Sequence, residues 1–192
     1  NITNATPCTQ ETMKLKELNE ALATQAKADT SRGDGSHNRI SVVSKANENV
    51  VIDVYADAFS NDPLFLWVAG LDKDDPDRKE KMFDLSRSMM AYLNGPVFHW
   101  NRGTVLGISL NDDEIAQAGY MTLVPSSCSD YGILALIYSI FRYGLPPMFK
   151  EKKKFCPVSA KRLEILAKAE KARKKHMKGT PKWIYLAAIG VS

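Results

Sequence analysis

Trp183-Ile-Tyr-Leu-Ala-Ala-Ile-Gly-Val191 is the stretch on which the fold turns. It is uncharged and rich in β-branched and aromatic residues, the composition of a strand inside a sheet. Domains ordinarily end at exposed, loosely packed positions. A central strand standing directly before Ser192 therefore predicts a continuation that finishes the sheet, so that the C-terminal part of the domain lies outside these 192 residues.

Immediately upstream, residues 159–178 read as a long basic helix whose apolar face is thin beyond Leu166. Gly179 stops it, and Lys174, Lys175, His176 and Lys178 lie at the end where the helix dipole favours cations. Before it, residues 131–143 read as an apolar helix closed by Gly144 and by Pro146-Pro147. The apolar run from Gly132 to Phe141 is too short to cross a bilayer, which takes about 20 residues. Together these helices make a helical insertion at about 126–178.

Ahead of the insertion, Glu114–Val124 and Thr104–Ile108 read as strands around the turn residues Asn111-Asp-Asp113. Val97–Trp100 reads as another, after Gly95-Pro96 ends a helix over 77–93. Strands separated by such turn signals predict antiparallel pairing. Val51, Val54, Tyr55, Ala58 and Phe59 recur at 3-4 spacing and predict a helix capped by Asn47 or Asn49. It stops near Asn61-Asp62-Pro63, because a residue before proline avoids the helical region. Leu64–Val68 is a dense apolar patch, and Ile40–Val43 an opening strand. Residues 1–39 form a polar extension, with a short helix over 11–29 and a Gly/Ser/Asp linker at 30–39. The whole reads as an α+β domain over 40–192 with a mixed or antiparallel sheet.

Composition narrows the function. At 44% hydrophobic and 25% charged residues the chain fits a globular protein. Three cysteines exclude a disulfide-dense scaffold and cannot all pair with one another, which favours a reducing intracellular compartment. Residues 150–178 carry a net charge of +9, leaving −5 on the other 163 residues. One basic element on an acidic body, without interleaved aromatics, argues against nucleic-acid binding. Cys8, Cys128 and Cys156 with His37, His99 and His176 show no metal-ligand spacing.

Three segments, in order, resemble the GNAT superfamily of acyl-CoA-dependent N-acetyltransferases. Ala56-Asp-Ala-Phe59 with Asn61-Asp62-Pro63 and Trp67 looks like its first-helix segment. Gly119-Tyr-Met121 is similar to its third strand, and His176 to Val191, with Trp183, Tyr185 and Leu186, looks like its fourth. The resemblance runs from about Ile40 to Ser192 and implies a mixed, mostly antiparallel sheet flanked by helices. It implies acetyl-CoA as the cofactor, its pantetheine arm hydrogen-bonded by the backbone of Ala188, Ile189, Gly190 and Val191 as an added strand would be. It also implies a diphosphate loop of the form Gln/Arg-x-x-Gly-x-Gly/Ala after Ser192, and a leaving-group tyrosine farther on. The implied reaction is direct acetyl transfer to a primary amine, small molecule or protein, with this stretch alone inactive. Three completions stay open: a continuation of the same chain, a second chain completing the fold, or a non-catalytic module.

Four acceptor-side candidates come with competing structural roles. Asp62 can pair with an ammonium or cap a turn; Trp67 can stack on the amine or fill the core. Glu114 can line the acceptor cleft or sit solvated at a turn. Tyr185 can donate a hydrogen bond or pack as a core aromatic; a pKa near 10 makes it a poor neutral-pH base. His99, without a visible partner, reads as structural. The alternative function is a non-catalytic subunit whose segment 131–154 contacts a protein or an anionic membrane surface. There Ile137, Ile140, Phe141, Met148 and Phe149 supply apolar groups, and Lys150, Lys152, Lys153 and Lys154 supply positive charge.

Overall fold

The computed structural model describes residues 39–72, 74–100, 102–109, 117–125, 132–145, 159–177, Thr180 and 184–191, with Glu17, Glu20, Ala21 and Thr24. Four strands form one sheet in sequence order: β1 (Arg39–Val42), β2 (Thr104–Ser109), β3 (Gln117–Pro125) and β4 (Ile184–Val191). Every pairing is antiparallel. The helices are α1 (Glu48–Phe59), α2 (Pro63–Ala69), α3 (Arg78–Trp100), α4 (Gly132–Tyr143) and α5 (Ser159–His176). The four described residues between 17 and 24 are helical too, and Thr24 Oγ1 donates to the Glu20 carbonyl at 2.7 Å. This is an α+β architecture, an antiparallel sheet flanked by helices.

The 3-4 spacing of α1 buries Val51, Ile52, Tyr55 and Ala56 against the sheet and α3. From the strands, Val105, Tyr120, Thr122, Val124, Ala188 and Gly190 are buried on the helix side. On the opposite face Ile40, Val42, Ile108, Ile184, Leu186, Ile189 and Val191 stay between 37% and 70% exposed.

Residues 184–191 lie in the sheet, paired along their length with β3. Thr122 faces Ala188 while Leu123 faces Leu186, so Ala187 is one residue too many, a β-bulge. The bulge changes the phase of the strand. Leu186 points away from the helices, yet so does Ile189, with Ala188 and Gly190 turned inward.

One expected boundary is corrected. Gly95-Pro96 does not end the second long helix, and 97–100 is not a strand: α3 continues through Pro96 to Trp100. A proline inside a helix loses a hydrogen bond and crowds the preceding turn, at about 3 kcal/mol. Packing offsets that cost. Asn94, Gly95, Pro96 and Val97 are all buried, the Tyr143 ring fills the space beside Gly95, and His99 is tied to Glu48. The apolar patch at 64–68 becomes α2, with Pro63 in its first turn and Gly70 ending it at φ 60°.

A buried polar chain crosses the interior. Asn94 Nδ2 donates to the Met90 carbonyl at 2.9 Å, and Thr122 Oγ1 donates to Asn94 Oδ1 at 2.6 Å. Thr122 has a single proton, so the Tyr55 hydroxyl, 2.9 Å away, is the donor of the next link. Burial pushes the Tyr55 hydroxyl up to a pKa of about 12. The chain ties α1, β3 and α3 together and fixes the Tyr55 ring. A Cβ at Gly190 would stand 2.7 Å from Tyr55 Cδ1. Gly190→Ala is therefore expected to lose about 1–3 kcal/mol in urea unfolding, since an anchored ring has no room to retreat. In a Tyr55→Leu background the same substitution should cost less.

Candidate functional site

An apolar cleft of about 530 Å³ opens between the helices and the sheet. Phe59 and Phe65 form one wall, their ring centroids 5.2 Å apart. Met89 and Leu93 of α3 form another, and Leu136 and Ser139 of α4 close it. Among the described residues the sheet reaches the cleft at Ala187, the bulged residue. The lining holds no carboxylate, histidine, lysine or arginine among the described residues. Tyr92 is its one titratable group there; its hydroxyl donates to the Gly144 carbonyl at 2.6 Å, and burial raises its pKa.

Asp62 and Trp67, the acceptor-side candidates whose side chains are described, are not among the residues lining the cleft. Asp62 is the N-cap of α2: its Oδ1 accepts from the backbone N–H groups of Leu64 at 2.8 Å and Phe65 at 3.1 Å. That is the helix-start role of an aspartate before proline. Trp67 lies on α2, and the cation over its ring is Arg162 of α5, 5.4 Å from the ring centroid. Arg162 also donates to the Trp67 carbonyl, so the pair docks α5 on α2. Glu114 lies outside the described residues. Tyr185 pairs with Val124 in the β3–β4 ladder, and its side chain lies outside the described residues. Ala188, Ile189, Gly190 and Val191 lie together along β4. The space beside Gly190 on the helix side belongs to Tyr55, so any grip there on a cofactor is through backbone alone.

A second polar cluster escaped the sequence reading. Glu48, at the start of α1, is buried. His99 Nε2 and Arg142 Nη2 each lie 2.9 Å from its Oε2, and the Tyr143 hydroxyl donates to Oε1. An ionised carboxylate only accepts, so His99 presents its Nε2 proton to Glu48. Tyr138 packs against His99 and Trp100, with ring centroids 5.6 and 5.3 Å away. The cluster joins the start of α1 to the ends of α3 and α4; Glu48 and His99 do not line the cleft. A glutamate at a helix start and an arginine at a helix end were visible in the sequence, but nothing in it paired them.

Helix α4 turns Ala135, Ser139 and Tyr143 inward and leaves an apolar stripe outside. Ile133, Leu134 and Phe141 are 72%, 71% and 85% exposed. Among the described residues no helix is long and apolar enough to cross a membrane, and no group of three His, Cys, Asp or Glu side chains could hold a metal ion. No known family model, characterised protein or solved structure matches the chain.

Burial works to raise the Glu48 pKa, but hydrogen bonds from Tyr143, His99 and Arg142 outweigh it and hold it below its ordinary 4.5. The stabilisation is present above pH 4.5. As pH falls, the unfolded chain takes up this proton first, so stability is lost down through the lower folded pKa. Urea unfolding between pH 6 and about pH 3 should show a steeper loss for the native protein than for Glu48→Gln. At pH 6 the variant should be less stable by about 2–3 kcal/mol, since a carboxylate with charged and hydroxyl donors is removed.

Proposed function

We propose that the protein is a GNAT-like N-acetyltransferase domain that moves an acetyl group from acetyl-CoA to a primary amine. The observation that carries this reading is the bulge at Ala187, where the edge of β4 meets the cleft. Among the described residues β4 has a strand partner on one side only. An edge strand offers unpaired N–H and C=O groups, and an extended amide-bearing pantetheine arm pairs with them as an added strand would. The donors and acceptors in this reading are backbone groups of Ala188, Ile189, Gly190 and Val191. The bulge takes Ala187 out of the regular ladder, bringing the end of such an arm beside the cleft.

Acetyl-CoA supplies an acyl carbon activated by its sulfur. The cleft holds the amine; its nitrogen lone pair forms the C–N bond as the C–S bond breaks. Sulfur leaves with the electron pair and takes up the proton that nitrogen releases, giving the acetamide and the free thiol. The nitrogen must arrive neutral. Transfer from water into apolar walls lowers the pKa of an ammonium, which favours that form without a charged base in the cleft.

The apolar stripe on α4 favours a second reading, a non-catalytic subunit that docks on another protein through residues 132–143. Hydrogen exchange on the full-length protein separates the two. Acetyl-CoA, and S-acetylpantetheine at higher concentration, should slow exchange in the peptide spanning 184–191. No protection there and no binding heat at millimolar acetyl-CoA would remove the transferase reading and leave the docking one.

A further inference from the structure

We infer that the acceptor, on the acetyl-transfer reading above, is a hydrophobic monoamine: one primary amine on an alkyl or aryl body, with no second charge. The cleft walls are built from Phe59, Phe65, Met89, Leu93 and Leu136. At about 530 Å³ the cleft is within the range of small-molecule sites and leaves room for a substantial apolar body.

None of the described residues lining the cleft is a carboxylate, and several acidic groups near it are engaged elsewhere. Asp62 caps α2, Glu48 is held by Tyr143, His99 and Arg142, and Asp53 pairs with Arg87 at 2.6 Å. Asp75 is bound by Lys81 at 2.8 Å. A polyamine or amino sugar would therefore carry further ammonium groups into apolar walls with no counter-charge among the described lining residues, a heavy desolvation cost. A monoamine brings one nitrogen, which must shed its charge to react. The apolar body supplies the binding, and the same walls favour the neutral nucleophile.

Leu64 and Leu136 line the cleft while remaining about half exposed, so they tolerate polar replacement without opening the core. The test is calorimetry of the full-length protein with butylamine, hexylamine, octylamine, 2-phenylethylamine and spermidine. Affinity should rise about four-fold per added methylene along the alkyl series, the factor expected for burying each one. 2-Phenylethylamine should bind, and spermidine should bind at least ten-fold more weakly than octylamine. Leu64→Gln and Leu136→Gln, which add polarity without a counter-charge, should each weaken octylamine at least ten-fold with an unchanged urea midpoint.

A flat alkyl series, spermidine matching octylamine, or octylamine binding indifferent to both substitutions overturns the inference. The transfer reading is judged separately by acetyl-CoA protection of 184–191. Protection with no alkylamine preference defeats the acceptor class alone. Alkylamine preference without protection defeats acetyl transfer, and with it the acceptor role of the cleft.

Discussion

The Tyr55 side chain is the constraint around which this domain is arranged. Its hydroxyl is committed to Thr122 on β3, and Thr122 in turn to Asn94 on α3. Its ring occupies the space that Gly190 of β4 leaves empty. One residue of α1 thereby sets the distance from the helices to both β3 and β4. Buried hydroxyl and amide groups are costly unless satisfied. Here each link has a partner, and the polar chain specifies one geometry where apolar contact alone would allow several.

That geometry places the cleft. With β4 held against α1 at Gly190, the extra residue of the bulge falls three positions back, at Ala187, where Phe59, Leu93 and Leu136 come together. The Glu48 cluster secures the other side by fixing the end of α4 to the start of α1 and the end of α3. The cleft wall contributed by α4 is therefore set by polar contacts distant from it. The outer stripe of the same helix is left apolar and uncovered among the described residues.

Much of the fold was legible because its signals are local and periodic. The 3-4 spacing of α1, the uncharged run at 184–191 and the helix-closing Gly144 each depend on a few neighbouring residues. Pro96 misled because its local penalty is real but is outweighed by the buried contacts of Asn94, Val97 and His99, which bring together residues far apart in sequence. The candidate site was less legible for the same reason. Asp62 and Trp67 attracted attention by residue type, yet their contacts are a helix cap and a guanidinium. The cleft is made mostly of Phe, Met, Leu and Ala residues that read as ordinary core. The bulge at Ala187 has no residue signature, since alanine fits a regular strand as easily. Gly190 leaves the space that the Tyr55 ring fills, and nothing in the sequence names Tyr55 as its neighbour.

Nuclear Overhauser contacts in the full-length protein test this arrangement most directly. The account expects strong cross-peaks from the Tyr55 ring protons to the Gly190 α-protons, together with a slowly exchanging Tyr55 hydroxyl proton close to the Thr122 side chain. Assigned Tyr55 and Gly190 resonances with no contact between them, and a hydroxyl exchanging freely with water, would contradict it.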